Sequence, residues 1–400
     1  MHTHRLLRLS PPLPLQTATG RQYALKRMKK IAVMQCPDHV FCEQAITRNI
    51  SHPFCIRQYA SFQDKHHLYF LFDLMTGGDL MDILVAEAKV IKVPVPKGMF
   101  RRGCFAKKQK QLVGMSEPLA RFYIASIALA LEYLHENRIV YRDLKPENVF
   151  VDSYGYVKLG DFGFAKVLDS GKTFTFCGTP GYVAPENIMA QASQGRRRAG
   201  CHRRPSAMGN GLAFSRRLRL PLLLSSLQGY GVSVDWWGLG VLAYVLLTGK
   251  QPFSNPKSDD PMVIMRRIVD ENWKISFPPY VSANARDFVL GLLERKPAKR
   301  LGCTTHKVEA IKRHKWFEGF DWDALAARKM EAPRKPKDDA AKRLKELNDT
   351  DDKGEKDKKA RAGAPSSTDR RPRLVPTASL SPMQVSAEEL QECQNIFAAF

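Results

Sequence analysis

The sequence predicts an α+β protein of bilobal architecture, with a small, mostly β lobe followed by a large, mainly α-helical lobe. Residues 21–28 alternate between apolar and polar side chains, as a half-buried strand does, and short apolar strands are expected near 56–62 and 67–74. From Asp79 to about Met330 the pattern is mainly helical. Gly77-Gly78 stands between the two parts and is predicted to be a hinge.

Three segments of the chain are predicted to be helices. One covers about 38–46 in the small lobe, a second covers 118–135, and a third covers 234–248 and is so apolar that it should be buried. Residues 331 to about 382 are rich in Lys, Asp, Glu and Pro, and an amphipathic piece at 386–400 closes the chain. Because this composition buries little apolar surface, we expect the tail from 331 onwards to be largely disordered.

The net charge of +23 is concentrated in two segments. Residues 88–114 and 192–228 each carry eight Lys or Arg and no acid, and their Gly, Pro and Ser clusters predict loops. A basic loop could bind RNA or anionic lipid. Since few aromatic side chains stand among these charges, nucleic acid is not an expected partner, and insertions without function at about 88–112 and 192–228 are the simpler interpretation.

Cysteine usage and hydropathy indicate the compartment. The eight cysteines show no CxxC pair and no zinc spacing, which is typical of reduced thiols. Cys177 could be redox-sensitive, although an inert thiol is the simpler reading. No membrane span is expected because the apolar runs are short, and the N-terminus lacks the apolar core of a signal peptide. We expect a cytoplasmic protein, with the nucleus as a second compartment.

Three motifs in a fixed order carry the chemistry. They are Tyr-Arg-Asp-Leu-Lys-Pro-Glu-Asn at 141–148, Asp-Phe-Gly at 161–163 and Ala-Pro-Glu at 184–186. The set matches the signature of protein kinases nearly letter for letter. Phosphoryl transfer depends on positioning and on neutralising phosphate charge, so it needs a carboxylate for the incoming hydroxyl, oxygen ligands for Mg²⁺ and a cation on the phosphates.

The chain resembles a serine/threonine protein kinase of the AGC group over residues 21–330, apart from the two basic insertions. Segments 174–180, 235–237 and 314–320 are similar to the catalytic domain of the cyclic-nucleotide-dependent kinases, and the final Phe-Ala-Ala-Phe at 397–400 resembles the terminal FxxF of the cAMP-dependent branch. The resemblance implies ATP and Mg²⁺ as cofactors and protein substrates with basic residues near the acceptor hydroxyl. It also implies a regulatory subunit or an upstream activating kinase as a partner, and docking of Phe397 and Phe400 on the small lobe.

The resemblance assigns catalytic roles to four motif residues. Asp143 would orient the substrate hydroxyl, and Lys145 would contact the transferred phosphate. Asn148 and Asp161 would hold Mg²⁺.

Nucleotide binding is assigned in the same way. Lys26 would hold the α- and β-phosphates, and Glu43 on the following helix would be its ion-pair partner. An exposed Lys–Glu pair of no great importance is the alternative. The remaining ATP-binding candidates are Phe72 as gatekeeper, Asp73 and Met75 in the linker, and Asp79 at the ribose.

Substrate recognition is assigned to Asp79, Glu147 and Thr179. The third arginine-recognising acid of the family falls on Val245, so a preference for paired arginines should be weakened rather than abolished.

Regulation is assigned to the segment between the second and third motifs. Thr175 stands where the family carries its activating phosphate, and the cations that match its receptors are His39, Arg142 and Lys166. Glu186 and Arg300 resemble a structural ion pair that anchors this loop.

One element that the resemblance requires is missing from the sequence. Residues 1–20 hold one glycine and three prolines, so they supply neither the first strands nor the glycine-rich loop that covers the ATP phosphates. They are predicted to be an unrelated or disordered leader, with 21–75 a partial small lobe, incomplete at its N-terminal side, and 76–330 the large lobe. Two functions therefore remain open: a kinase hindered by the missing loop, and a catalytically silent kinase-like scaffold.

Overall fold

The computed structural model describes residues 23–34, 36–87, 89–93, 109–191, 229–254, 260–335 and 397. The chain divides into two compact units. The small unit is drawn from Met1–Asn49, Arg57–Thr76 and Pro336–Phe400, and the large unit from Ile50–Ile56 and Gly77–Lys335. The predicted leader and nearly all of the predicted tail lie outside the described residues.

A three-stranded antiparallel sheet forms the framework of the small unit. Its strands are β1 (Tyr23–Lys29), β2 (Gln58–Gln63) and β3 (His67–Asp73), in the order β1-β3-β2. On the central strand Leu68, Phe70 and Phe72 point to one face and are buried, as period-2 alternation requires. Lys26 of β1 lies directly opposite Phe70.

Two helices follow the first strand of the small unit. They are a short α1 (Lys30–Val33) and α2 (Pro37–Asn49), which extends the helix predicted for 38–46 at both ends. The buried residues of α2 include Val40, Glu43 and Ile46, so a carboxylate stands among apolar side chains. Gln44 Nε2 of α2 donates to Ser61 Oγ of β2 at 2.8 Å, which ties the helix to the sheet.

Phe397 is the one residue of the predicted tail beyond 335 that the structure describes. Its ring is fully buried and stacks on Phe41 of α2, with 5.6 Å between ring centroids. Its carbonyl accepts a hydrogen bond from Gln63 Nε2 of β2 at 2.8 Å. Phe397 is thus anchored in the small unit by an aromatic and a polar contact.

The large unit is built around apolar helices. They are α3 (Leu80–Glu87), α4 (Glu117–Glu136), α5 (185–191), α6 (Ser233–Thr248), α7 (Pro261–Val269), α8 (Ala283–Leu292), α9 (Lys307–Lys312) and α10 (Trp322–Ala326). The predictions for 118–135 and 234–248 are confirmed. Nearly every residue of α6 is buried, which is where a helix that is apolar on all sides must lie.

Short two-stranded ladders complete the large unit. They are β4 (Lys89–Val93) with β5 (Gln109–Val113), β6 (Ile139–Val140) with β9 (Lys166–Val167), and β7 (Val149–Val151) with β8 (Val157–Leu159). The prediction of a loop throughout 88–114 is therefore wrong for residues 89–93 and 109–113. Val90, Ile91 and Val93 have high strand propensity, and the basic composition obscured it. Residues 94–108 and 192–228 lie outside the described residues.

The α+β class predicted from the sequence is confirmed by these sheets and helices. Within the described ranges, no helix combines the length and the apolar character that crossing a membrane requires.

Residues Ile50–Ile56 connect α2 to β2 but pack in the large unit. The ring of His52 stacks on Tyr133 of α4 at 5.0 Å, and the Tyr133 hydroxyl accepts a hydrogen bond from the Ser51 amide at 2.9 Å. Burial lowers the pKa of His52 from 6.5 to about 4. The neutral imidazole is therefore part of the native packing.

The shift in the pKa of His52 predicts a pH dependence of stability. Between about pH 6.5 and 4, His52 is protonated in the unfolded chain but not in the folded chain. The free energy of unfolding should therefore fall as the pH drops through this window. His52→Phe keeps a ring on Tyr133 and should lose less stability over the same interval. Urea unfolding midpoints at neutral and acidic pH measure the difference, and parallel losses in both proteins would contradict this role.

Candidate active site

The segment at 141–148 is held by one buried carboxylate. Asp235, at the start of α6, accepts the backbone N–H of Tyr141 at 2.9 Å and that of Arg142 at 2.8 Å, and it lies 2.8 Å from His135 Nε2. Asp235 is only 1% exposed, so these bonds form away from water, where they are strong. Arg142 has a φ of 72°, a conformation that a non-glycine residue adopts only when its surroundings enforce it.

Asp143 lies at the centre of a cluster of hydrogen-bond donors. Asn148 Nδ2 donates to both the backbone carbonyl and Oδ2 of Asp143 at 2.9 Å, and Lys145 Nζ reaches Oδ2 at 2.7 Å. Thr179 Oγ1 donates to the other carboxylate oxygen, Oδ1, at 2.8 Å. With Asp143 only 2% exposed, these donors fix the direction of its carboxylate.

The hairpin of β7 and β8 brings the two predicted magnesium ligands to neighbouring positions. Asn148 precedes β7, and Gly160 follows β8 and donates its N–H to the Asn148 carbonyl at 2.9 Å. Asp161 is the next residue. Asn148 Oδ1 is buried and accepts no hydrogen bond from the described residues. An unpaired, buried amide oxygen suits a hard cation such as Mg²⁺.

The chemistry of this donor set also fits Mg²⁺. No group of three or more His, Cys, Asp or Glu that could hold a metal exists in the described parts of the chain. Mg²⁺ keeps several waters and is commonly bound through one or two protein oxygens plus substrate phosphates. Asn148 and Asp161 carry oxygen donors of the kind that such binding uses.

Tyr141 contacts the segment that carries Asp161. Its hydroxyl donates to the Gly160 carbonyl, and its ring meets Phe162 edge to face at 5.4 Å. Burial raises the pKa of Tyr141 well above its usual value, and the nearby carboxylates of Asp161 and Asp143 raise it further. The phenol therefore stays neutral and continues to donate to the backbone next to Asp161.

The small unit, described by itself, contains a buried ion pair. Lys26 Nζ lies 2.6 and 2.9 Å from the two carboxylate oxygens of Glu43, and the side chains are 16% and 4% exposed. This burial excludes the alternative of an exposed surface pair. Of the other nucleotide candidates in this unit, Phe72 is buried, Met75 is half-buried and Asp73 accepts a hydrogen bond from Tyr59 Oη at 2.8 Å.

Two acids of the large unit, Asp79 and Glu147, lie close enough for the charge of Glu147 to act on Asp79. Asp79 caps α3, and its Oδ1 accepts the Asp82 amide at 2.8 Å. Burial raises the pKa of Asp79, and the negative charges of Asp82 and Glu147 raise it further. Glu147 Oε2 is buried and has no hydrogen-bond partner among the described residues. Because a buried carboxylate oxygen without a hydrogen-bond donor is costly, Glu147 favours the approach of a cationic group.

Val245 occupies the position where the sequence predicts the loss of a third acid. It is 4% exposed on α6, inside the apolar core of the large unit.

Thr175 is exposed on the segment between β9 and α5. The Tyr230 hydroxyl donates to the Thr175 carbonyl, and Arg142 Nη1 donates to the same hydroxyl at 3.3 Å. Arg142 is therefore linked to the Thr175 backbone through one side chain. Of the other two predicted phosphate receptors, Lys166 lies on β9 opposite Val140, and His39 lies on α2 of the small unit.

Glu186 and Arg300 form a bidentate ion pair, with N–O distances of 2.6 and 2.9 Å. Arg300 is fully buried, donates to the Ser233 carbonyl at 2.8 Å and lies over the Trp237 ring at 5.2 Å. The Ser233 hydroxyl donates to Glu186 at 2.9 Å. Each charge is thus hydrogen-bonded, so the pair joins α5 to α6 without leaving a buried group unsatisfied.

Cys177 is buried, and burial raises the pKa of its thiol. A neutral, covered thiol is a poor nucleophile, which favours the inert interpretation over the redox-sensitive one.

Two residues that organise the site were not assigned a role from the sequence. Asp235 entered only as part of the segment 235–237, although an acid near the start of a strongly apolar helix is itself a signal of a buried polar contact. Tyr230 lies two residues after the end of the second basic segment, and nothing in its sequence neighbourhood indicates its contacts with Arg142 and Thr175.

The buried ion pair predicts a large effect on stability. Arg300→Met leaves Glu186 without its partner in a covered position, and removing one member of such a pair costs about 3–5 kcal/mol. Arg313→Met is the matched control because it also removes an arginine from an ion pair, the one with Glu309 at 3.6 Å, but at a side chain that is 80% exposed. The free energy of unfolding should change by no more than about 0.5 kcal/mol. Chemical denaturation of both variants tests this, and equal losses would contradict it.

Similarity to known proteins extends over most of the chain. A family model described as protein kinase domain matches residues 14–199 and 212–317. This match begins inside the predicted leader and omits 200–211, which lie within the second predicted insertion.

Curated relatives are similar over about four-fifths of the chain. The cAMP-dependent protein kinase type 3 of Saccharomyces cerevisiae is 34% identical over 319 residues, which are 79% of this chain and 63% of the relative. The cGMP-dependent protein kinase 2 of Homo sapiens is 34% identical over 314 residues, 78% of this chain and 33% of the relative. The cGMP-dependent protein kinase of Eimeria tenella is 36% identical over 322 residues, 80% of this chain and 26% of the relative. The chain therefore spans less than two thirds of the length of these relatives.

Proposed function

Because this chain belongs to the protein kinase family, we propose that it is a serine/threonine protein kinase that transfers the γ-phosphate of ATP to hydroxyl groups of proteins. The observation that carries the proposal is the oriented carboxylate of Asp143. Asn148, Lys145 and Thr179 each donate a hydrogen bond to it, and it is buried. A scaffold would have no need for such an arrangement.

Asp143 would accept the hydrogen bond of the substrate hydroxyl and direct its oxygen towards the γ-phosphate. Thr179 engages Oδ1 while Lys145 and Asn148 engage Oδ2, so the carboxylate cannot rotate freely. A fixed acceptor lowers the entropic part of the barrier because the hydroxyl is already oriented when it arrives. Lys145 is also placed to interact with the transferred phosphate.

Asn148 and Asp161 would hold Mg²⁺, which when bound neutralises phosphate charge. The unpaired Asn148 Oδ1 supports this role. In the small unit, Lys26 would bind the α- and β-phosphates. Glu43 keeps the Lys26 ammonium in one position, so less side-chain entropy is lost when the phosphates bind.

A catalytically silent scaffold is the second candidate, and one observation favours it. Residues 1–20 contain a single glycine, so this stretch does not supply a glycine-rich cover for the phosphates. A scaffold would bind its partners without forming ADP, whereas the kinase forms ADP and a phosphorylated protein in equal amounts.

Substitution of Asp143 tests the proposed function. Asp143→Asn should reduce phosphate transfer from labelled ATP to a basic protein substrate by at least about 100-fold, since it removes the acceptor that orients the hydroxyl. Asp287→Asn is the matched control, because Asp287 is 78% exposed in the same unit and should leave the rate unchanged. Absence of transfer by the wild-type chain, or transfer by Asp143→Asn at the wild-type rate, would overturn the proposal.

We further propose that substrates carry arginine or lysine near the acceptor hydroxyl. Support comes from the effect of the Glu147 charge on the pKa of Asp79, which it raises, and from the unpaired Glu147 Oε2. Val245 supplies no third charge, so recognition of several basic residues together should be weaker than in kinases that have an acid there.

Substitution of Glu147 tests this specificity. Glu147→Gln should raise the KM for an arginine-containing peptide about tenfold or more with little change in kcat, because a charge-assisted hydrogen bond contributes about 1.5–3 kcal/mol. The same peptide with alanine in place of arginine is the control, and with it the two enzymes should have similar KM values. An equal rise in KM with both peptides would contradict recognition of the basic side chain.

The remaining proposals concern regulation and location. Phosphorylation of Thr175 by an upstream kinase would activate the chain, with Arg142, Lys166 and His39 as receptors of the phosphate. The exposure of Thr175 and its link to Arg142 support this. A regulatory subunit is a further partner, and the cytoplasm is the proposed compartment, with the nucleus as a second one.

A further inference from the structure

The Tyr230 hydroxyl contacts two other segments of the large unit, one with Arg142 and one with Thr175 and Cys177. It accepts a hydrogen bond from Arg142 Nη1 at 3.3 Å, donates to the Thr175 carbonyl, and is 3.9 Å from Cys177 Sγ. The backbone of Tyr230 pairs in both directions with Thr173, at 2.8 and 2.9 Å. One side chain thus connects the segment before Asp143 with the segment that carries Thr175.

Packing alone does not require a hydroxyl at this position. Tyr230 is 2% exposed, so a phenylalanine ring would fill nearly the same space. The hydroxyl adds two hydrogen bonds, one accepted from the Arg142 guanidinium and one donated to the Thr175 carbonyl. Burial raises the pKa of Tyr230 above its usual value, so the phenol remains protonated and keeps donating at physiological pH.

The Tyr230 hydroxyl also limits the freedom of the Arg142 side chain. Arg142 Nε donates to the Phe164 carbonyl at 2.6 Å, and Nη1 is directed to Tyr230. Two anchors on different edges fix the plane of a guanidinium, whereas one anchor permits rotation. The Arg142 fork is therefore already oriented, close to the Thr175 backbone.

We propose that Tyr230 is a positioning residue that orients the Arg142 guanidinium beside Thr175 before any phosphate is present there. A phosphate on Thr175 then meets an ordered cation, and little side-chain entropy is lost when the two groups pair. This inference rests on the proposed function, in which the phosphate on Thr175 activates the chain.

Tyr230→Phe and Tyr244→Phe form a matched pair of variants. Tyr244 is 6% exposed, and its hydroxyl donates to the Ser276 carbonyl at 2.8 Å, so both substitutions delete one buried hydroxyl from the large unit. The first readout is the ratio of kcat with and without phosphothreonine at position 175, which can be incorporated during expression. In Tyr230→Phe this activation ratio should fall about fivefold, the equivalent of one ordinary hydrogen bond. In Tyr244→Phe it should match the wild type even though the melting temperature falls.

A second readout does not depend on kinase activity. An oriented Arg142 should shelter the phosphate on Thr175, so a broad-specificity protein phosphatase should release it about fivefold faster from Tyr230→Phe than from the wild type or Tyr244→Phe. Equal release from all three proteins would overturn the role of Tyr230. A wild-type chain that transfers no phosphate, but shows faster release from Tyr230→Phe, would overturn the proposed function and leave the positioning role in place.

Discussion

The hydrogen bonds from the backbone of Tyr141 and Arg142 to Asp235 are the interaction on which the candidate active site depends. They hold Arg142 at a φ of 72°. A non-glycine residue avoids this backbone conformation unless other interactions offset its cost in free energy. That conformation turns the chain so that Asp143 directs its carboxylate into the donor cluster. Asp235 can serve two N–H groups because each of its carboxylate oxygens accepts one of them, and it lies in the first turn of α6, whose later residues are nearly all apolar and are buried. The most apolar helix among the described residues therefore carries the carboxylate that shapes the loop.

Besides the bonds to Asp235, one set of hydrogen bonds positions the predicted magnesium ligands and another holds the end of the segment that carries Thr175. The β7–β8 hairpin places Asn148 beside Gly160 and hence next to Asp161, while the Tyr141 hydroxyl supports the Gly160 carbonyl from the other side. The pair of Glu186 and Arg300 joins α5 to α6, so the end of the segment that carries Thr175 is attached to the same helix as Asp235. Most of these contacts are buried, which explains how a loop with little regular structure can hold its side chains in fixed directions.

The sequence predicted much of this architecture because its patterns were strong. The α+β class, the buried helix at 234–248 and the resemblance to cyclic-nucleotide-dependent kinases are confirmed by the structure and the relatives. The motifs also identified Asp143 and its neighbours as candidates, since three residue strings in a fixed order are specific. The assigned roles of these residues and the preference for basic substrates stay predictions.

Other features could not be predicted because they depend on contacts between distant segments. The role of Tyr230 arises from bonds to residues 88 and 55 positions away in the chain, and no local pattern reports such pairings. The ladder of β4 and β5 was missed because strand pairing depends on a partner beyond the basic residues between them. Asp235 was visible in its motif, but only the structure shows which backbone groups it accepts.

Amide hydrogen exchange in Asp235→Asn, measured on the peptide that covers 138–145, tests the central claim most directly. If the buried carboxylate holds this loop, its amides exchange slowly in the wild type and markedly faster in the variant, because a neutral amide is a weaker acceptor for two N–H groups. The peptide covering 119–131 of α4 should exchange equally in both proteins. Unchanged exchange across 138–145 would contradict the account, since the loop would then keep its shape without the charge of Asp235.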